Sequence, residues 1–296
     1  MVTSVSNNLS AGSGSGSSFG AGTDVSGYTA NQLASLTAKQ IANLTTTQIS
    51  ALDATAFANL SSAQMQSFSA TSLAAMSTTQ VSALSTAQMA SLTPTQLKAL
   101  TTAQVSALTT DQVGSLSGTQ LAGLSVTQVQ ALTSDEIKSI TTSAIKLLTV
   151  DQMFGLITSQ IAALGTAQIA SLEAKQIAGM ETTDIQVLDS AQIKALSALQ
   201  VQAMKTGQIA ALTTAQVGNL STGQLAALTS AQINALETVD LAQLNTTQLQ
   251  AMAANALKGM SAGQITSLSS DQVKGLSELQ VGALSATQVA AIETAD

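Results

Sequence analysis

The sequence predicts an all-α solenoid of very short capped helices, one in each eight-residue repeat. Glutamine recurs at residue numbers divisible by eight, from Gln32 to Gln288, without an insertion or deletion. We call the repeat unit an octad; it reads [ST]-x-x-Q-[IVLM]-x-[small]-L, as in residues 101–108. Three observations support the prediction: the unbroken register, a helix-start pattern in each octad, and the distribution of charge within the octads.

Three positions define the octad. The glutamine position, at the multiples of eight, holds Gln in 26 of the 34 octads between residues 32 and 296. The next residue, the first apolar position, is apolar every time from Leu33 to Val289. The residue four after the glutamine, the second apolar position, is Leu, Ile, Met or Phe every time from Leu36 to Ile292. The residues that replace Gln are Ala56, Ser72, Glu136, Ala144, Asp184, Asp240, Ala256 and Asp296.

A helix break in every octad follows from the period. At about 100° per residue, eight residues advance a helix by roughly 800°, so a continuous helix would rotate its apolar stripe by about 80° per octad. Ser or Thr followed three residues later by Gln is a capping box, flanked by an apolar pair that fits a hydrophobic staple. In one octad Thr101 is the predicted N-cap and Gln104 its reciprocal partner, with Leu100 and Val105 as the staple. Pro94 falls at a first helical position, where proline is tolerated.

The charged residues divide by position in the octad. All 16 acidic residues lie at the cap or the next three positions, and six of the nine lysines lie two residues after the glutamine position. Many separate helix dipoles favour this arrangement. The alternative is a β-solenoid, since Thr, Ser, Val and Ile are abundant, but the apolar positions are spaced three and then five apart rather than two.

The residue before the second apolar position is Gly, Ala, Ser or Asn in 30 of 33 octads, the exceptions being Leu147, Val187 and Gln243. Small residues there would let neighbouring helices approach closely. Two buried apolar side chains supply on the order of 3–6 kcal/mol per octad, against roughly 8–16 kcal/mol of backbone entropy. A single octad is therefore unstable alone, and stability must come from stacking along the array.

We predict two regions: a flexible Gly/Ser-rich leader over residues 1–23 and an octad solenoid over residues 24–296. A longer period of seven octads overlies the octad repeat, because the acidic motifs that begin at Glu181, Glu237 and Glu293 recur at that interval. Duplication of seven-octad blocks explains this spacing, and so does a face that recurs along the solenoid.

Composition excludes several classes of function. The chain has nine lysines, no arginine and a net charge of −7, which argues against nucleic-acid binding. It has no His or Cys, so common general bases, thiol nucleophiles and transition-metal ligands are missing. No apolar run reaches the length of a membrane span, and no classical signal peptide is visible. We therefore expect no enzyme activity, no cofactor and no bound metal.

The remaining polar residues have structural explanations. The adjacent pair Asp135 and Glu136 is the nearest approach to two catalytic carboxylates, but helix-N-terminal charge explains it better. The glutamines are predicted to accept hydrogen bonds from backbone donors at their own helix starts, a role that carboxylates such as Asp184, Asp240 and Asp296 can also fill.

Two sets of residues are candidates for contacts between copies of the chain. Apolar residues occupy usually polar or small positions at Leu147, Val150, Phe154 and Ile157, where they predict either a lateral contact or a thicker local core. Solenoid ends normally carry polar capping repeats, whereas this array stops in the opening half of an octad. Either the chain is a piece of a longer array, or open ends join head to tail, with end-to-end contacts at Tyr28, Ile292 and Asp296.

The octad resembles the Thr/Ser-x-x-Gln-Ile/Val-x-x-Leu arrays of long repetitive bacterial proteins described as adhesion or haem-utilisation related. The resemblance covers about 270 of the 296 residues, and it implies an extracellular or cell-surface location and an adhesive or biofilm-matrix role. Haem binding is not expected, since His is absent. We predict a structural rod, stalk or filament subunit that self-associates head to tail, with an unknown surface or matrix partner. A glycan- or peptide-binding module and an ice-binding protein are the alternatives.

Overall fold

The computed structural model describes residues 23–293, which form 32 short α-helices and one 3-10 helix, with no β-strand among them. The all-α solenoid is confirmed, and the β-solenoid alternative is wrong for this part of the chain. The predicted leader lies outside the described residues except for Thr23, and so does Asp296. The 3-10 helix is Ala54–Phe57, and the α-helices in chain order are Ala30–Ala34, Ala38–Ala42, Thr46–Ala51, Ser62–Ser67, Ala70–Ala74, Thr78–Ser82, Thr86–Ser91, Pro94–Lys98, Thr102–Val105, Thr110–Gly114, Gly118–Gly123, Val126–Gln130, Ser134–Ser139, Thr142–Ile145, Val150–Phe154, Thr158–Ala162, Thr166–Ser171, Ala174–Gly179, Thr182–Gln186, Ser190–Ala195, Ala198–Ala203, Thr206–Ala210, Thr214–Gly218, Thr222–Ala226, Ser230–Ala235, Thr238–Leu241, Thr246–Ala251, Ala254–Leu257, Ala262–Thr266, Ser270–Lys274, Glu278–Ala283 and Ala286–Glu293.

Most helices begin at the predicted capping box, although some, such as those after Thr141, Glu237 and Ala253, begin without one. In the octad of residues 101–108, Thr101 is extended (φ −72°, ψ 159°), and its hydroxyl accepts a hydrogen bond from the Gln104 backbone N–H at 3.2 Å. The Gln104 side-chain oxygen accepts one from the Thr101 N–H at 2.7 Å. Both halves of the box therefore fill backbone donors that the start of a helix leaves unpaired.

The helices end because two consecutive residues are extended. At the end of Thr46–Ala51, Leu52 has ψ 140° and donates its N–H to the Ile49 carbonyl, and Asp53 then caps the next helix with ψ 147°. The same pair of extended residues, one at the second apolar position and one at the next N-cap, recurs along the array. An eight-residue period thus contains one short helix and one change of chain direction.

One turn of the solenoid contains between three and four octads. Each helix packs mainly on the helices three octads away, as Ala174–Gly179 does on Ala198–Ala203. Side-chain hydrogen bonds join residues 28 positions apart, such as Gln104 and Met76. Other bonds between turns join residues 25 and 31 positions apart. One turn therefore takes about three and a half octads, and seven octads, the longer period of the sequence, are close to two turns. Residues seven octads apart return to the same side of the solenoid, so both explanations of that period agree with the geometry.

The core is a continuous column made by the two apolar positions. Side chains at the first apolar position, such as Ile161 and Ile177, are completely buried, and those at the second, such as Leu164, are nearly so. This burial continues from Leu33 to Leu268, so every turn contributes to one core.

Close packing between turns explains the small residue before the second apolar position. A Cβ added to Gly259 would lie 2.6 Å from the carbonyl carbon of Ser230, in the preceding turn. At the exception Leu147, the facing residue of the preceding turn is Gly118, and a Cβ there would lie 2.9 Å from the Leu147 Cβ. The sequence therefore balances a large residue in one turn with a glycine in the neighbouring turn.

Candidate functional site

The glutamine side chain bonds in two directions, and this is the feature that builds the array. The side-chain oxygen of Gln104 belongs to the capping box of its own octad. Its amide nitrogen donates to two carbonyl oxygens of the octad four before it, Leu73 at 2.8 Å and Met76 at 2.7 Å. One side chain therefore caps its own helix and also binds the preceding turn.

This arrangement, which we call the glutamine ladder, is repeated by every Gln from Gln64 to Gln288 that occupies a glutamine position. In each case the side-chain amide donates to the carbonyl oxygen 28 residues earlier, at the second apolar position, over 2.6–3.1 Å. In most octads it also reaches the carbonyl 31 residues earlier, as in the bond from Gln160 to Val129 at 3.0 Å. The ladder thus runs parallel to the apolar core and joins each turn to the one before.

The ladder hydrogen bonds contribute to stability because the groups they join are buried. Gln160 and Gln176 are completely buried, and nearly all other ladder glutamines have less than a tenth of their surface exposed. A buried carbonyl without a donor costs about 1–3 kcal/mol. The ladder amides remove that cost at the second apolar positions, between consecutive helices, where the helices supply no donor of their own.

The sequence therefore predicts only one of the two roles of the glutamines. Acceptance from the cap N–H is confirmed, but the donation to the preceding turn was not predicted. A signal for it is present in the sequence: a capping box accepts Glu as readily as Gln, yet Gln fills 26 of the 34 positions and Glu only one, Glu136. A carboxylate offers the same acceptors and no donor, so this preference indicates that the site needs an N–H group.

Three described ladder positions carry carboxyl groups. Glu136 accepts the Thr133 N–H at 2.6 Å, and Asp184 accepts the Glu181 N–H at 3.0 Å. Asp240 is as deeply buried as these two, but its Oδ2 atom has no hydrogen-bond partner. The expectation that carboxylates take over the capping role holds at Glu136 and Asp184 and is wrong for Oδ2 of Asp240, where no bond to the cap forms.

Burial also affects the titration of two of these groups. Desolvation raises the pKa of the Glu136 carboxyl, and the hydrogen bonds from Thr133 offset only part of this effect. Desolvation likewise raises the pKa of the Asp184 carboxyl, and the nearby charge of Glu181 adds to it. Both groups therefore hold a proton more readily in the folded array than in water.

The residues predicted to form a lateral contact are all exposed. The exposed fractions are 45% for Leu147, 37% for Val150, 57% for Phe154 and 49% for Ile157. They do not thicken the core, which was the alternative explanation. The lateral contact itself stays a prediction.

The residues predicted to form an end-to-end contact differ in accessibility. Tyr28 is buried, with 6% of its surface exposed, whereas Ile292 is half-buried against the core. Near Ile292, Val281 and Val289 are 45% and 39% exposed, although the equivalent side chains inside the array are buried. Accessible apolar surface is therefore concentrated around residues 281–292.

Residues 23–293 contain no group of three or more acidic side chains placed to hold a metal ion. Within the same range, no helix has both the length and the apolar character needed to cross a bilayer. A shallow, open groove is lined by Ala253, Asn255, Lys258, Glu278 and Leu279. These side chains provide one charge of each sign beside an exposed leucine.

The family model of the ALTTAQ repeat matches five segments of the chain, residues 57–94, 91–118, 177–214, 209–238 and 233–270. Together they cover residues 57–118 and 177–270, just over half of the chain. The six letters of the repeat occur in the sequence at residues 99–104 and 211–216, each time ending at a ladder glutamine. No curated protein matches the chain.

Proposed function

The chain belongs to the ALTTAQ repeat family, and we propose that it is a structural rod, a spacer, stalk or filament subunit whose length and regularity are its function. The observation that carries the proposal is the glutamine ladder, which joins each turn to the preceding one from Gln64 to Gln288. The proposal assigns the chain no catalytic activity.

The geometry gives the rod an approximate length. At about three and a half octads per turn, the 33 helices between Ala30 and Glu293 make about nine turns. Helices pack at about 8–10 Å between axes, so the rod is on the order of 75–95 Å long. Negative-stain electron microscopy of the purified chain should show particles of that length. Compact particles of equal dimensions would overturn the proposal.

We place this rod outside the cell or on its surface, in adhesion or a biofilm matrix. This part of the proposal rests on the resemblance to repetitive bacterial surface proteins. Immunogold labelling of intact and permeabilised source cells tests it. Label on intact cells is the expected result, and label that requires permeabilisation would contradict it.

We further propose that copies join head to tail by continuing the ladder. Gln32 and Gln40 form capping boxes, but within residues 23–293 their amide nitrogens donate to no carbonyl of another turn. At the opposite end, none of the described glutamines donates to the carbonyl groups of Leu276 and Leu284. Donors at one end and acceptors at the other are complementary, and the exposed Val281 and Val289 lie beside the acceptors.

Sedimentation velocity over a range of concentrations tests this assembly. The wild-type chain should form longer species as concentration rises. A Gln32→Glu/Gln40→Glu variant should remain a monomer, because a carboxylate keeps the capping acceptors and removes the donors. A wild-type chain that stays monomeric at high concentration would refute head-to-tail assembly and leave the rod proposal to electron microscopy.

The exposed patch at Leu147, Val150, Phe154 and Ile157 supports a second mode of association, in which rods pack side by side. A Phe154→Ser variant should lose lateral bundles in electron micrographs and keep individual rods. Bundles that persist in this variant would exclude the patch as the lateral contact.

A further inference from the structure

We propose that two buried ladder carboxyl groups, Glu136 and Asp184, are proton-binding sites that make the array more stable in mild acid than at neutral pH. Each stands where the other octads place an amide donor. A proton bound there replaces the missing amide hydrogen, or at least removes a negative charge that faces carbonyl oxygens.

Glu136 shows the geometry most clearly, because glutamate has the same shape as glutamine. Its Oε2 atom holds the Thr133 N–H at 2.6 Å, which is the place of the amide oxygen in Gln104 and its equivalents. The other carboxyl oxygen therefore takes the place of the amide nitrogen. A glutamine at this position would bind the Leu108 carbonyl of the preceding turn, and among the described residues no N–H donates to that carbonyl. A protonated carboxyl group supplies that donor, whereas a carboxylate repels the carbonyl oxygen.

Asp184 is one methylene shorter than Glu136 and has only 2% of its surface exposed. One of its oxygens accepts the Glu181 N–H. No lysine among residues 23–293 forms an ion pair with it, and a buried charge without a partner of opposite sign is costly.

The charged groups around these sites do not neutralise them. Glu136 has Asp135 and Lys138 on its own helix and Asp111 on Thr110–Gly114, which packs against it. The helices Thr102–Val105, Thr158–Ala162 and Thr166–Ser171, which also adjoin it, carry no charge. No ion pair to Glu136 forms, since the one ion pair among residues 23–293 joins Lys175 and Glu173.

Asp184 has charges of both signs around it. Glu181 lies in its own octad, Asp151 in the preceding turn and Lys205 at the cap of a helix in the following turn. Lys205 forms no ion pair with Asp184.

The direction of the pH effect follows from linkage. Burial raises the pKa of Glu136 and of Asp184 in the folded chain. The folded state therefore binds protons more tightly than the unfolded state does. Stability from these groups is complete below their unfolded pKa values and is lost as the pH rises through their folded pKa values. The hydroxyls of Ser26 and Thr55 lower the pKa of Asp24 and of Asp53, whose contribution to stability is lost in stronger acid. Stability is therefore greatest in mild acid.

Thermal unfolding of the full chain at about pH 5 and about pH 8, followed by circular dichroism, tests the proposal. The wild type should unfold at least ~3 °C higher at pH 5. A Glu136→Gln/Asp184→Gln variant should gain stability at pH 8 and lose most of the pH dependence. The control is Asp271→Asn/Glu278→Gln, which removes two exposed carboxyl groups distant from both sites and should keep the wild-type pH dependence.

A single Glu136→Gln variant keeps the test decisive if the longer glutamine side chain disturbs the Asp184 position, because the exchange at residue 136 preserves the shape of the side chain. It should raise the unfolding temperature at pH 8 and leave it nearly unchanged at pH 5. The proposal is overturned if the wild type shows no such pH dependence, or if Glu136→Gln leaves the pH 8 value unchanged or lowers it. Carboxyl-carbon NMR offers an independent readout: the Glu136 titration midpoint should lie above the usual glutamate range, and a midpoint within that range would equally contradict the proposal.

Discussion

Replacing Gln104 by glutamate should separate the two functions of a ladder glutamine. The exchange preserves the shape of the side chain and the oxygen that accepts the Thr101 N–H at 2.7 Å. It removes the amide donor to Leu73 and Met76, which are 2.8 and 2.7 Å away. Only the bond between turns is lost, and the capping box remains.

The expected cost can be worked out from the two carbonyl groups. The Met76 carbonyl loses its only donor among the described residues, within a buried site where Gln104 itself has 2% of its surface exposed. The Leu73 carbonyl keeps the Met76 N–H, which donates to it at 3.2 Å. At about 1–3 kcal/mol for one unsatisfied buried group, the free energy of unfolding should fall by about 1–3 kcal/mol at neutral pH. Part of the loss should return at about pH 5, since a protonated glutamate can donate to one carbonyl.

Urea unfolding followed by circular dichroism measures this difference. Gln40→Glu is the matched control, because Gln40 has the same capping box but no carbonyl partner in another turn among the described residues. Its stability should stay within about 0.5 kcal/mol of the wild type. The reasoning is refuted if Gln104→Glu is equally harmless, or if Gln40→Glu is equally damaging.

Further substitutions probe the packing and the caps by the same unfolding assay. Gly259→Ala should destabilise the chain by about 1–3 kcal/mol, because the new Cβ would lie 2.6 Å from a backbone carbonyl carbon; a neutral effect would contradict the close approach of the turns. Gly223→Ala, with no atom within 4 Å of the new Cβ, should instead be neutral or stabilising by up to about 1 kcal/mol. Gly165→Ser should stabilise by about 0.5–1 kcal/mol, because Gly165 occupies an N-cap position without a side-chain cap; a loss of stability would argue against the capping geometry. Ile161→Ala, at a completely buried position, should cost about 2–5 kcal/mol, and a cost below about 1 kcal/mol would indicate that the core is loosely packed.

The local structure of the array could be predicted from the sequence because its causes lie within one octad. A cap hydroxyl and a glutamine three residues later, as at Thr101 and Gln104, fix where each helix begins. The change of chain direction at extended residues such as Leu52 and Asp53 follows from the same spacing. These interactions span three or four residues, so a repeated pattern of eight residues displays them fully.

The geometry between turns could not be predicted in this way. The partners of the Gln104 amide are backbone carbonyl groups 28 and 31 residues earlier, and every residue has a carbonyl. No residue type therefore marks the acceptor, and the number of octads per turn stays hidden. Only three sequence features reflect the geometry between turns, and each does so indirectly: the preference for Gln over Glu, the seven-octad period, and the pairing of Leu147 with Gly118.

The buried carboxyl groups depend on the same long-range information. At Glu136 the sequence suggested a favourable charge at a helix start, and the capping bond to Thr133 agrees with that. The unfavourable effect comes from the preceding turn. The carbonyl of Leu108, which a glutamine at residue 136 would bind, accepts no backbone N–H among the described residues. A residue that suits its own helix can thus be unfavourable for the stack of turns.

Nuclear Overhauser effects from the Gln104 side-chain amide protons test the central claim most directly. The ladder places this amide nitrogen 2.8 Å from the Leu73 carbonyl oxygen and 2.7 Å from that of Met76. We predict cross-peaks from the amide protons to residues 73–77, together with slow exchange of these protons with solvent. Cross-peaks confined to residues 101–108, or rapid exchange, would show that the turns are not joined by their glutamines.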